Sequence, residues 1–389
     1  MITLPSKDSA KSKTRKSPSL RKSTRCMIAV ILLMILLNLL AWCSTSFSDW
    51  YAETVFPRLS RTFSRLCGWI PFSVGEVLIA VALFLVIALP LAFVLCMIFV
   101  KGKRWKISCG FGRAVGWILT YILVTETCNC FILYHATPFG ERYFRMRDYT
   151  GQELLTLYSD LVETANTLAV QVQRDENGCF VLQDDLYETA NAAMQKLGET
   201  YSQFRGNYPQ PKEIGASYIM SQMNLTGIYF PFTLEENYNG DMLDINKPNT
   251  VCHELSHLCG RIQEDEAGFL AYLACIGSES IEFQYSGTVA ALEYVQNAVA
   301  SRDITGKEAV MDTLCDEARQ DMFVFLPENY WETKQETVPA VVATQTVLET
   351  SSSAMDTSLK LNGVDDGKQS YSRMVTLLLA YWDSQGKLS

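Results

Sequence analysis

Two of the three histidines in the chain, His253 and His257, lie four positions apart, and Glu254 follows the first of them. Pro248 predicts that a helix begins here, and Gly260 predicts that it ends. Side chains four apart lie on one face of a helix, so both imidazoles can bind one metal ion. Glu254 lies about 100° around the helix from His253, and a carboxylate at this position of the motif can take a proton from a metal-bound water. The pattern predicts one Zn²⁺ per chain, with Glu254 as the catalytic base.

A tetrahedral zinc site needs a third protein ligand. A second helix is predicted after Gly260, with acidic residues in its first turn. Glu264 and Glu266 point to different faces of that helix, so we expect one of them to be the ligand. Glu264 is favoured because Glu-x-x-Ala is similar to the Glu-x-x-Ala-Asp helix that supplies this ligand in several zinc peptidase families. Those families have Asp or Asn where this chain has Gly268, and Glu266 remains the alternative ligand.

A reading without metal accounts for the same residues. A pattern with three fixed positions in five recurs by chance, and a buried helix can carry two histidines four apart without binding anything. Acidic residues are also favoured at any helix N-terminus, because they interact with the helix dipole. The choice between a metal site and a buried helix without metal therefore depends on the segments around the motif.

Three apolar runs precede the motif, and each is long enough to cross a bilayer. The basic residues around them predict an N-terminus in the cytoplasm, and no small-x-small cleavage site follows the first run closely. We predict a basic cytoplasmic tail at 1–25, membrane helices at 26–44, 76–100 and 114–134, an extracellular loop at 45–75, a basic cytoplasmic loop at 101–113, and an extracytoplasmic domain at 135–389.

Charge separates the two parts of the chain. Residues 1–113 have 16 basic and 4 acidic side chains, a net charge of +12, and the remainder carries −21. The acidic outer part argues against nucleic-acid binding, which requires a basic patch. The basic tail is suited to anionic lipid on the inner face of the membrane. Several of the twelve cysteines lie in or beside membrane segments, and no disulfide pair is predicted.

The outer part is predicted to be mainly α with a small sheet. Gly227 to Thr233 is predicted as an edge strand that holds an extended substrate, with Tyr229 among its contacts, and an aromatic core strand is the alternative. Tyr285, Tyr371 and Arg373 are candidates to contact the substrate oxygen. The other predicted elements are helices near 149–174, 186–204, 280–301 and 305–321, a strand at 214–220, and a last helix that ends at Trp382.

The chain resembles a group of uncharacterised bacterial membrane proteins known as a domain of unknown function and grouped with zinc-peptidase-like folds. The resemblance covers most of residues 45–385. It implies a zincin-like fold and a membrane anchor. The residues that carry it are Gly68-Trp69-Ile70-Pro71-Phe72-Ser73, Thr226 to Phe232, the His253–His257 motif, Glu264 to Leu273, Asn362-Gly363 and Ser370-Tyr371-x-Arg373.

These observations favour a zinc metallopeptidase, anchored by several membrane helices in the bacterial cell membrane, that hydrolyses peptide bonds of a peptide or protein at the outer face. The first alternative is a non-catalytic sensor or assembly protein that retains a zincin fold. A transporter that uses Glu126 and Asn129 within the membrane is the second, and three helices make a poor pore.

Overall fold

The computed structural model describes residues 21–338, 343–361 and 372–388. The described chain is mainly helical and contains one small sheet, as predicted. Its principal helices are Lys22–Cys43, Thr45–Trp50, Phe56–Gly68, Val74–Phe99, Arg104–Tyr134, Phe139–Tyr143, Gly151–Ala169, Leu186–Thr200, Ser217–Gln222, Lys247–Leu258, Glu264–Gly277, Ile281–Ala300, Lys307–Met311, Asp316–Asp321, Tyr330–Thr337, Thr344–Leu361 and Ser372–Ser384.

Three of these helices are long and apolar enough to cross a membrane. We call Lys22–Cys43, Val74–Phe99 and Arg104–Tyr134 the first, second and third apolar helices. Most of their side chains are uncovered by the rest of the protein, so three such helices near the N-terminus indicate association with a membrane. The third begins ten residues before the predicted membrane segment, because Arg and Lys favour helix and no proline interrupts the basic stretch. The orientation of these helices, with the N-terminus in the cytoplasm and the domain outside, stays a prediction.

The sheet has the strand order β1-β3-β2, with β1 at Lys212–Ile214, β2 at Gly227–Phe230 and β3 at Glu235–Asn239. The central strand β3 is parallel to β1 and antiparallel to β2, so β2 is an edge strand as predicted. The strand predicted at 214–220 is wrong for most of its length. The hydroxyl of Ser217 donates to the carbonyl oxygen of Ile214 at 2.5 Å, and the helix Ser217–Gln222 follows.

Strand β3 was not predicted, because its sequence, Glu-Glu-Asn-Tyr-Asn, lacks the apolar alternation of a typical strand. Buried partners compensate two of its polar side chains. Glu235 pairs with Lys212, and Asn239 donates to the hydroxyl of Ser221 at 2.9 Å. Polar residues are tolerated inside a protein when such partners exist.

The helix Lys247–Leu258, which we call the motif helix, packs between the sheet and the helix Glu264–Gly277, called here the glutamate helix. Val251, Leu255 and Leu258 form the predicted buried stripe. The helices Leu186–Thr200 and Ile281–Ala300 complete the core around it.

The helix predicted at 305–321 is instead two short helices, Lys307–Met311 and Asp316–Asp321. Between them, the side chain of Asn166 donates to the carbonyl oxygen of Thr313 at 2.8 Å and accepts from the backbone of Cys315 at 2.8 Å. These two bonds satisfy backbone groups that a continuous helix would pair internally.

Candidate metal centre

The motif helix ends within two residues of its predicted boundary. Pro248 lies in its first turn, where a missing N–H costs nothing, and Gly260 has a φ of 86° after its last turn. This left-handed conformation reverses the chain, and the glutamate helix begins four residues later at Glu264. The tight reversal brings the first turn of the glutamate helix beside the two histidines.

His253, His257 and Glu264 form a group that could hold a metal ion, with one ligand atom from each residue and all these atoms within 4.8 Å of one another. Nε2 of His253 lies 3.0 Å from Oε2 of Glu264, and Nε2 of His257 lies 3.8 Å from Oε1. Ligand atoms bound to one zinc at about 2.1 Å lie about 3.4 Å apart in a tetrahedron. The two measured distances lie on either side of this value, and two imidazoles with a carboxylate are a donor set that could hold a metal ion.

Glu266, the alternative third ligand, points away from the histidines. One of its carboxylate oxygens accepts from the backbone N–H of Phe139, and the other lies 3.8 Å from the guanidinium of Arg261. Burial raises the pKa of Glu266 to about 7. Its role is to fix the segment around Phe139, and Glu264 alone of the two faces the imidazoles.

The two imidazoles have different electrostatic surroundings. Burial lowers the pKa of His257 to about 4, so this ring is neutral at pH 7. Burial also opposes charge on His253, but its hydrogen bond to Glu264 raises the pKa of that imidazole. The pKa of Glu264, which burial alone would raise, falls to about 2 because both histidines lie beside it. The negative carboxylate and the neutral His257 are the forms that bind a cation.

A backbone carbonyl orients His257. Its Nδ1 lies 2.6 Å from the carbonyl oxygen of Arg261, so Nδ1 carries the proton and Nε2 presents its lone pair toward Glu264. Metal-binding histidines commonly have such a partner, which fixes the tautomer and the ring orientation. This contact follows from the reversal at Gly260.

His253 lacks the side-chain partner that the zinc peptidase families provide at the position of Gly268. A Cβ built on Gly268 would lie 3.9 Å from Nδ1 of His253 and 3.2 Å from Sδ of Met374. The position therefore faces the imidazole, and glycine leaves it without a hydrogen-bonding group.

Glu254 is buried against the edge strand. A Cβ on Gly227 of β2 would approach Cγ of Glu254 and the methyl group of Thr250 to 2.8 Å each, so only glycine permits this packing. Burial raises the pKa of Glu254 to about 8, with Glu264 adding to the effect and His253 opposing it. Oε2 of Glu254 has no hydrogen-bond partner among the described residues. A buried carboxylate oxygen of this kind suits proton transfer to a group not yet bound.

The predicted substrate contacts are distributed differently. The rings of Tyr229 and His257 lie with centroids 5.7 Å apart, so Tyr229 is at the site. Arg373 pairs with Asp265, the neighbour of Glu264, at 2.9 Å. Tyr285 is elsewhere: it is fully buried and donates a 2.5 Å hydrogen bond to Asp321. Tyr371 lies outside the described residues.

Two further residues near the site were missed from the sequence. Glu236, on β3, is fully buried near Glu254, and neither of its carboxylate oxygens has a hydrogen-bond partner among the described residues. Tyr294 belongs to the helix Ile281–Ala300, and burial, followed by the charges of Glu293 and Glu264, raises its pKa to about 12. The one sequence signal for either residue was the charge of Glu236, which lies before the motif helix in the chain.

Comparison with known proteins agrees with the resemblance at the level of the family. Residues 51–379, most of the chain, match a family described as protein of unknown function, DUF3810. No curated protein and no solved structure matches the chain. The chain therefore belongs to the DUF3810 family of proteins of unknown function.

Proposed function

We propose that this chain is a membrane-anchored, zinc-dependent peptidase with a zincin-like site at the outer face of the bacterial membrane. The observation that carries the proposal is the convergence of His253, His257 and Glu264 within 4.8 Å, beside a buried glutamate and an edge strand. Two imidazoles and one carboxylate form a ligand set that leaves a fourth position open in catalytic zinc sites.

When bound, zinc supplies Lewis acidity, which activates a water molecule and polarises the scissile carbonyl group. His253, His257 and Glu264 would hold the ion, and the carbonyl of Arg261 keeps His257 in the required tautomer. Glu254 does not belong to the ligand group. A cation bound beside Glu254 would lower its raised pKa, and the carboxylate would then take the proton of the attacking water and pass it to the leaving amine.

Strand β2 supports binding of an extended peptide. It is an edge strand, and Gly227 and Tyr229 both lie on its face toward the motif helix. An extended substrate can add to such an edge through its backbone hydrogen bonds. Arg373, whose side chain is 42% exposed, is the candidate to contact the carbonyl oxygen of the substrate.

The test is zinc content and cleavage in the purified full-length protein. Wild type is expected to bind about one zinc per chain, since one ligand set is present, and His257→Ala is expected to lose it. Glu254→Gln should retain zinc and lose cleavage of a diverse synthetic peptide library. Glu163→Gln, which changes an exposed glutamate on another helix, is the control and should retain both properties.

The alternative is the non-catalytic sensor or assembly protein. It predicts that the protein binds zinc without cleaving peptides, or does neither. It also predicts that Glu254→Gln has no effect on any cellular phenotype. If folded wild-type protein supplied with zinc binds none, the peptidase proposal is wrong.

A further inference from the structure

The candidate metal centre is linked to the third apolar helix by one tyrosine. The ring of Tyr229 lies beside that of His257, and its hydroxyl donates to the carbonyl oxygen of Asn129 at 3.4 Å. Asn129 belongs to the third apolar helix, in a π-helical turn at Thr127–Phe131. The metal centre therefore lies within about one tyrosine side chain of this helix.

The end of the edge strand is bound to the same helix. The carbonyl oxygen of Pro231 accepts from the side chain of Asn129 at 2.5 Å, and that of Phe232 accepts from the hydroxyl of Tyr121 at 2.7 Å. Tyr121 lies eight residues before Asn129, which corresponds to about 12 Å along a helix. Two adjacent carbonyl groups of the turn after β2 are thus held by side chains that start about two turns apart on the third apolar helix.

The second apolar helix holds the other side of the sheet. The carboxylate of Glu235 on β3 accepts from the backbone of Gly75 at 2.9 Å, and the carboxylate of Glu76 accepts from the backbone of Ala216, just after β1, at 2.7 Å. Gly75 packs against the ring of Phe230 at the end of β2. The sheet is therefore fixed to the N-terminal end of the second apolar helix and the C-terminal part of the third.

These helix ends correspond to a bilayer boundary. Asn129 lies about 24 Å beyond Arg113 and about 37 Å beyond Arg104, the last and first basic residues of the third apolar helix. A hydrocarbon layer of about 30 Å that begins among those basic residues ends close to Asn129. Tyr121 then lies within the layer, and the turn after β2 lies at its surface.

An exposed apolar stripe continues this surface. Phe63, Leu66, Trp69 and Phe72 recur at intervals of three residues along and after the helix Phe56–Gly68, and each is at least half exposed. Phe72 is two residues from the start of the second apolar helix, so the stripe joins its lipid-facing surface. The exposed arginines Arg58, Arg61 and Arg65 on the same helix suit anionic headgroups.

The buried side of that helix supports the motif helix directly. Ser60 donates to the carbonyl oxygen of Leu258 at 2.7 Å, and Phe56 packs against Gly260. The helix that carries the exposed apolar stripe is thus in contact with the C-terminal end of the motif helix.

We infer that the metal centre is held at the headgroup level of the outer leaflet, and that its substrate is a polypeptide anchored in the same membrane and cut beside its membrane segment. The placement stands on the contacts above, and the substrate class rests on the proposed peptidase function. A segment that leaves the bilayer in extended form meets the edge of β2 without diffusing from solution.

The placement of the metal centre is tested by quenching of tryptophan fluorescence, using full-length protein in liposomes. The lipids are brominated either near the headgroup or near the chain ends. Bromines near the headgroup are expected to reduce emission from Trp69, identified by subtracting Trp69→Phe, and from the reporter introduced by Phe232→Trp. Val170→Trp, at an exposed site after the helix Gly151–Ala169, is the control, and the emission that it adds to that of wild type should not be quenched. If neither reporter is quenched, the placement is overturned. If Trp69 is instead protected from the quencher because the protein forms a dimer, the apolar stripe is an interface with a second copy of the chain.

Substrate class is tested by reconstituting wild type or Glu254→Gln with a detergent extract of bacterial membrane proteins and mapping new chain termini by mass spectrometry. Cuts that require Glu254 are expected within about ten residues, or 35 Å of extended chain, of a membrane segment or lipid anchor. Cuts spread through detached soluble domains would overturn the substrate class while supporting a peptidase. If no cut requires Glu254, the peptidase proposal fails, and the quenching result alone decides the placement.

Discussion

The carbonyl oxygen of Arg261 lies 2.6 Å from Nδ1 of His257, at the reversal that begins with Gly260. The left-handed glycine thus controls the orientation of a histidine three residues earlier. The same reversal sets where Glu264 meets the two imidazoles, so one backbone conformation supports two of the three candidate ligands.

Gly260→Ala tests this dependence. Alanine in a left-handed conformation costs about 1–3 kcal/mol, and its Cβ would come within 3.0 Å of the ring of Phe56. We expect a lower melting temperature and weaker zinc binding, measured by thermal unfolding and metal titration. Gly277→Ala is the control, because nothing lies within 4 Å of its Cβ position. Equal zinc affinity in Gly260→Ala and wild type would contradict the proposed coupling.

Glu264→Gln and Glu266→Gln form a matched pair two residues apart. Glu264 faces both histidines, whereas Glu266 binds the backbone of Phe139. Glu264→Gln is expected to lose most bound zinc, since a neutral amide is a poor zinc ligand. Glu266→Gln should retain zinc with a changed melting temperature. Zinc content by elemental analysis separates the two, and loss of zinc only in Glu266→Gln would reverse the ligand assignment.

Gly268→Asn should supply the hydrogen-bonding group that His253 lacks. The new side chain begins 3.9 Å from Nδ1 of the imidazole, and such partners change metal affinity by about 10–100-fold. We expect tighter zinc binding by competition with a chelator. Gly268→Ala introduces the same crowding against Met374 without the amide and is the control. Equal affinities in the two variants would show that the position does not orient His253.

Gly227→Ala should impair catalysis more than metal binding. Its methyl group has no room beside Glu254 and Thr250, so the carboxylate or the strand must move. A displacement of about 1 Å in a catalytic group can cost about 100-fold in rate. We expect peptide cleavage to fall while zinc content is retained, with both measured on the same preparation. A variant with full activity would mean that the packing of Glu254 against β2 has no part in its role.

Glu236 predicts a pH dependence of stability. Burial, followed by the charge of Glu254, raises the pKa of Glu236 well above its ordinary value. The folded protein therefore keeps a proton that the unfolded chain releases above about pH 4.5, so this carboxyl group lowers stability as pH rises, by at most about 1.4 kcal/mol per pH unit. Glu236→Gln should gain in melting temperature relative to wild type between pH 5 and 8. A constant difference across that range would show that Glu236 does not titrate as inferred.

Local signals made much of the site predictable. The spacing of His253 and His257, Pro248 and Gly260 act within one helix and its ends, where helix geometry relates sequence distance directly to position. The same reasoning predicted the β2 edge strand and the long helices. It failed at β3, whose polar side chains are stabilised by partners distant in sequence, such as Lys212 for Glu235.

The sequence by itself thus determined the three N-terminal helices that are long and apolar enough to cross a membrane, and the pair of histidines on one helical face, because apolar length and helical period are local properties. Tertiary structure placed Glu264 rather than Glu266 beside the two imidazoles, paired Tyr285 with Asp321, and brought Glu236 and the third apolar helix close to the candidate metal centre. Those outcomes depend on how the chain reverses at Gly260 and where the sheet packs, and sequence spacing does not specify either.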